Sequence, residues 1–281
     1  MQEITKVVPL EKNLWAIDEI GRSVMYCLNG RNKALLIDTG FGLSPLPDIV
    51  REICGEKEVI VVNTHAHPDH NGGNHMFDRV YTGRFDEPYS HEYKEEDRIM
   101  MIQGLMGHII AEGFDSDTWH PGSADNIGIL EDGNMIDLGG YCLEVIETPG
   151  HSLGSVCFME NSMGWLFSGD MVLPWPAWGH LASSTVLSIY YKSMVRLQNL
   201  QDKIKCVFAA HSMPEFALDG WGMYRLPPEI LTIYRDGLLE VLEGKNSGVP
   251  FENIMGNGIK AHFRIGGIVY DPKRLGNDKL T

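Results

Sequence analysis

Paired cysteines are missing from this chain. Cys27, Cys54, Cys142, Cys157 and Cys206 are odd in number and scattered, with no CxxC spacing. That argues against a disulfide framework and for free buried thiols in a reducing compartment. Positive charge is also scarce, with 23 Lys+Arg against 38 Asp+Glu and a formal net charge of −15. A nucleic-acid groove or an anionic membrane surface is thereby disfavoured as the main partner. No apolar run approaches the length of a membrane span, and the opening MQEITKVVPLEKN contains no apolar leader core. Repeats and low-complexity linkers are absent as well. The expectation is a cytoplasmic protein acting on a small molecule, without nucleic-acid or membrane partners, and with homo-oligomerisation left open.

What is present is a strand-rich α/β pattern. The 281 residues suffice for one large core. Strands are expected at 5–10, 14–17, 24–28, 34–37, 58–62, 80–82, 135–138, 141–147, 155–159, 165–168 and 206–210. Helices are expected at 45–54, near 74–78, at 184–202 and at 228–243. Residues 85–127 interrupt this rhythm. A helix over 92–112 there reads as a surface helix on the core, or as a lid over the site. Residues 171–183 (MVLPWPAWGHLAS) read as a Pro/Trp-rich loop, and 259–274 as a basic, Gly-interrupted tail.

The chain is organised around EVIVVNTHAHPDHNGG at 58–73. A short buried strand leads into His65, Ala66, His67, Pro68, Asp69 and His70. His65 and His67 are two apart, so an extended backbone would aim both imidazoles to one side. Pro68 ends the strand, and Gly72-Gly73 allows a reversal that returns Asp69 and His70 to the same spot. Imidazole nitrogens and a carboxylate converging at a strand end form a metal-ligating pattern that suits zinc. Three further strand ends carry ligand-type residues: His151 in TPGHS, Asp170 in SGD and His211 in AAH. Five His and two Asp are enough for two coordination spheres.

The order HxHxDH, TPGHS, SGD and AAH, preceded by IDTG, resembles the metallo-β-lactamase superfamily over residues 5–215. The resemblance is to its dinuclear hydrolase branch, which includes glyoxalase II-type thioesterases and lactonases. It implies a four-layer αββα sandwich with the site along one edge. Here that sandwich would form a catalytic domain over 1–215, carrying the helical insertion 85–127, with a C-terminal helix and extension over 216–281 packed on it. By the same resemblance His65, His67 and His151 would bind one divalent metal, and Asp69, His70 and His211 a second. Asp170 would bridge both, and Asp38 of IDTG would support the ligands from behind. Zinc is the first expectation for both ions, with iron or manganese as alternatives.

The chemistry implied is attack by a metal-bridging hydroxide on a small ester, thioester or lactone, with Asp69 orienting it or passing on its proton and no serine or cysteine nucleophile. Asp170 stands where true β-lactam hydrolases of the superfamily carry Cys or Ser, which disfavours antibiotics. The loop after it lacks the Gly/Cys/Arg-rich turn of glyoxalase II-type enzymes, and instead offers Trp175, Trp178 and His180 as pocket walls. The rivals are an iron-dependent dioxygenase of the persulfide type on the same scaffold, and a phosphodiesterase.

Overall fold

The computed structural model describes residues 4–91, 119–212 and 214–276. The helix expected at 92–112, and with it the lid, lies outside the described residues. Seven strands form the first sheet in sequence order: β1 Thr5–Glu11, β2 Leu14–Glu19, β3 Ser23–Asn29, β4 Lys33–Ile37, β5 Glu58–Val62, β6 Arg79–Gly83 and β7 Asn126–Leu130. The first four pair antiparallel, and β4 to β7 pair parallel. The second sheet has the order β13-β11-β10-β9-β8, from β8 Met135–Asp137, β9 Cys142–Glu147, β10 Val156–Glu160, β11 Trp165–Gly169 and β13 Cys206–Ala209.

Side-chain alternation explains the layering. Tyr26, Leu35, Ile37 and Val62 of the first sheet meet Val145, Phe158, Phe167 and Phe208 of the second in one buried cluster. Their strand neighbours Met25, Cys27, Leu36 and Val61 face outward onto Leu46 and Val50. Those two lie on α1, Leu46–Cys54, whose buried residues recur every four positions and whose end is capped by Gly55 at φ 70°. On the far side Cys157, Met159, Leu166 and Val207 meet two more helices, α3 Leu187–Gln198 and α4 Glu229–Leu242. One helical turn, α2, spans Pro68–Asn71. The result is the αββα sandwich. Phe158→Ala in its central layer should cost about 3–5 kcal/mol in denaturant unfolding.

One expectation is corrected, and the basic tail, which the sequence leaves without assigned elements, gains them. The stretch 171–183 is not all loop, because β12 Pro176–Gly179 runs parallel to β16 Gly267–Tyr270. The tail is likewise sheet: β14 Val249–Asn253 and β15 Gly256–His262 complete a third, four-stranded sheet in the order β12-β16-β15-β14. Pro176 disguises β12, yet it opens the strand on the sheet's edge, where its missing N–H does no harm. β7 also begins inside the span read as insertion. Among the described residues no helix is long and apolar enough to cross a membrane.

Candidate metal centre

The ligand motif leaves the first sheet at Asn63, whose N–H donates to Tyr81 O at 2.8 Å. Thr64 N–H then donates to Asp38 Oδ1 at 2.7 Å, and Thr64 Oγ1 donates to Oδ2 at 2.9 Å. Asp38 adopts φ 63°, a left-handed conformation that Asp tolerates better than most residues. Pro68 opens the single turn of α2 that carries Asp69 and His70. Thr39 N–H and Asn63 Nδ2 both donate to His70 O, at 2.8 and 3.1 Å. Gly72 N–H donates to Gly40 O at 2.9 Å, and a Cβ on Gly72 would lie 2.6 Å from Phe41 O. Only glycine allows that approach.

All seven predicted ligands come together. His65, His67 and His151 form one group, Asp69, His70 and His211 another, and His65, His70 and Asp170 a third linking them. Within each group one donor atom per residue lies within 4.8 Å of the others. Asp170 Oδ2 is 3.0 Å from His211 Nε2 and 3.5 Å from His151 Nε2, and Oδ1 is 3.7 Å from His70 Nε2. The position at the end of β11 therefore touches both flanking groups.

Each of the five imidazoles is held by one nitrogen and aims the other inward. His65 Nδ1 meets Thr64 Oγ1 at 3.0 Å, and since that hydroxyl donates to Asp38, it accepts here. His67 Nε2 meets Ser183 Oγ at 2.8 Å. His70 Nδ1 meets Asp38 Oδ2 at 3.2 Å, His151 Nδ1 meets Trp178 O at 2.7 Å, and His211 Nδ1 meets Arg22 O at 2.6 Å. Where the outer partner is a carbonyl or carboxylate the outer nitrogen carries a proton, which leaves the inner nitrogen as the one able to face a cation. His65 Nε2, His70 Nε2 and Asp170 Oδ1 are buried without a hydrogen-bond partner among the described residues. His151 Nε2 lies 2.8 Å from His67 Nδ1, a contact that requires a proton or a cation between them. A buried nest of lone pairs and carboxylates with held outer nitrogens is the chemistry of a metal site. The residues fit divalent cations.

Electrostatics divide the cluster. Burial, reinforced by neighbouring imidazoles, pushes His65 well below the usual histidine range and His151 to about 3. Burial also lowers His67. At His70 burial opposes the charge, but Asp69, Asp170 and Asp38 overcome it and raise the imidazole well above its usual range. His211 is raised against burial by Asp170. Asp69 and Asp170 stay ionised despite burial: His70 and His211 hold both below the usual carboxylate range.

The mouth opens beside His67 and His211, the two ligands that are not fully buried. The Trp175 ring lies 6.2 Å from His211 and 5.1 Å from Phe216, which is exposed at the surface. The main-chain carbonyl of Trp178 holds His151, while its ring lies 5.9 Å from His180. His180 is buried against Phe251. Tyr234 Oη accepts from Leu173 N and donates to Leu173 O, pinning this loop to α4. Ser183 and Phe216 went unnoticed in the sequence, because a lone serine or phenylalanine in a loop has no pattern to betray it.

The chain belongs to the metallo-β-lactamase superfamily, whose model matches residues 19–211. Within it, residues are 29% identical over 163 positions to the acyl-coenzyme A thioesterase MBLAC2 of Homo sapiens, covering 54% of this chain and 58% of that protein. The match thus spans less than two thirds of that relative. A hydroxyacylglutathione hydrolase of Francisella philomiragia is 25% identical over 228 residues, 81% of this chain and 77% of its own. Among solved structures, a metallo-β-lactamase from Pontibacter korlensis superposes with a TM-score of 0.57 at 20% identity, covering 84% of this chain and 99% of that one. That likeness concerns the fold alone.

Proposed function

We propose that this chain is a dinuclear metal-dependent hydrolase of small carbonyl esters, with thioesters the leading class and lactones within reach. The observation that carries the reading is the set of five imidazoles, each fixed by its outer nitrogen and presenting the inner one to a shared buried centre. His65, His67 and His151 would hold one cation, Asp69, His70 and His211 the other, and Asp170 would join them. When bound, a pair of divalent cations, zinc first, acidifies water towards neutral pH and polarises a carbonyl.

The protein's own groups supply the rest. Asp69, whose Oδ2 lies 3.5 Å from His70 Nε2 and 3.6 Å from His211 Nε2, would orient the attacking water and take up its proton. Trp175 and Phe216 give the mouth an apolar wall beside His211. Trp178 and His180 give a second wall on the His151 side, where an acyl chain can settle and bulk water is excluded. An acidic chain at −15 repels polyanions, which favours uncharged or singly charged carbonyl substrates over phosphodiesters. The thioesterase and hydroxyacylglutathione hydrolase among the relatives support the thioester class. Residues 1–215 would form the catalytic domain, with 216–281 completing its wall through Phe216 and the third sheet.

A matched panel of thioester, ester, lactone, β-lactam and phosphodiester substrates tests the reading. Thioesters should turn over fastest, and chelation should abolish the activity. Phosphodiester turnover exceeding every carbonyl substrate by about tenfold, or oxygen uptake with a persulfide, would overturn it.

A further inference from the structure

A buried carboxylate outside every ligand motif joins the two loops that carry His65, His67 and His151. Asp86, in GRFDEPY just after β6, is only 2% exposed. Its Oδ2 accepts from Ala66 N at 2.9 Å and from Ser152 Oγ at 2.6 Å, and its Oδ1 accepts from Gly154 N at 2.7 Å. Ala66 is the residue between His65 and His67, and Ser152 directly follows His151. One side chain therefore fastens the backbone between His65 and His67 and, through the Ser152 hydroxyl and the Gly154 N–H, the loop that carries His151. The approach is built in on both sides: a Cβ on Gly154 would lie 2.3 Å from Asp86 N, and one on Gly83 would lie 2.0 Å from Gly154 O. Asp86 is itself set by its N–H to Gly83 O at 3.0 Å.

These three imidazoles come from two loops far apart in sequence; among the described residues no strand pairing joins the loops, though Val156 N–H donates to Thr64 O at 2.9 Å at their base. His67 and His151 keep inner nitrogens 2.8 Å apart, so a small separation of the loops would pull the donor set open. We infer that Asp86 is the positioning residue for the His65/His67/His151 group, locking two ligand loops into one donor set without touching metal or substrate. The inference rests on the metal reading above. Asparagine cannot replace the carboxylate, because Ala66 and Gly154 both offer N–H donors, and an amide NH₂ would face one of them in either orientation. The Asp69/His70/His211 group has separate supports in Asp38, Ser23 and Arg22, so it should not depend on Asp86.

The test is titration of metal-stripped protein with Co²⁺, followed by visible absorption and calorimetry, alongside thermal unfolding. Wild type should take up two ions. In Asp86→Asn the His65/His67/His151 ion should bind about 10–100-fold more weakly, as for lost supports behind metal ligands. The other ion should keep its affinity within about threefold. Ser152→Ala, which removes one of the three bonds, should shift the same ion by less and covers the case in which Asp86→Asn does not fold. Glu160→Gln is the control, since Glu160 is a buried acid bonded to Ser162 and Met163 at the opposite end of β10. It should lower the unfolding temperature yet leave both ions bound as in wild type. Unchanged binding in both Asp86→Asn and Ser152→Ala would overturn the inference, as would equal weakening of both ions in step with the unfolding temperature. A wild type that binds no cobalt would instead overturn the metal reading, and that result is visible before any variant is compared.

Discussion

Around His65, His67 and His151 the cluster is neutral; around Asp69, His70 and His211 it is ion-paired. Burial disfavours the charged form of all three imidazoles and so favours lone pairs facing the centre, with the short His67–His151 contact the place where a proton or a cation sits between two of them. Across Asp170, carboxylates keep His70 and His211 charged, and an arriving cation must release those protons. The supports differ as well. The neutral half hangs on Asp86, Thr64, Ser183 and the Trp178 carbonyl, and the charged half on Ser23, Arg22 and Asp38, the last of which also holds Thr64. One cluster thus divides into two donor groups whose supports differ except at Asp38, and on the dinuclear proposal perturbing one need not empty the other.

Substitutions can break or sharpen that contrast. The largest effect belongs to Asp170, which faces both halves. Asp170→Asn should lower hydrolysis by at least about a hundredfold and weaken metal retention, as for other disrupted preorganised sites. Near-native kcat/KM in that variant would reduce Asp170 to a turn residue. Next come the single-half deletions: His151→Ala should lose chiefly the ion of the neutral half, and His211→Ala chiefly that of the charged half. Metal analysis of each purified variant reads this directly, and loss of both ions in either would erase the distinction. Asp38→Asn should act more gently. It disturbs the direct bond to His70 Nδ1 and the bonds to Thr64, so affinity at the charged half should fall about 10–100-fold in a competition assay, with a smaller fall at the neutral half through Thr64 and His65. The smallest effect is expected for Trp178→Ala, which keeps the carbonyl that holds His151 and removes only the ring. KM for a thioester should rise about three- to tenfold with kcat nearly unchanged.

The contrast between site and wall also separates what sequence could show. The ligands were legible because the ends of short apolar strands delivered rare residue types in one order; the sandwich was expected from the resemblance that this order carries, and Tyr26, Leu35 and Phe158 meet in its central layer. The third sheet was not legible. Pro174 and Pro176 hide β12, and Gly256, Gly258, Gly266 and Gly267 interrupt β15 and β16, so their pairing emerges only from tertiary contact. Asp86 and Ser183 escaped for another reason. A single residue that accepts or donates a bond across the fold leaves no local pattern, whatever its importance to the site. Trp175 and Trp178 share one loop, but only the structure shows that the first meets His211 through its ring, and the second holds His151 through its backbone.

The most direct test of two sites in one cluster is metal stoichiometry. Chain stripped of metal, reconstituted with excess zinc and freed of loosely bound ions should retain about two zinc ions per molecule, as five imidazoles and two carboxylates would require. Retention of one ion, with His211→Ala binding as much as wild type, would contradict it.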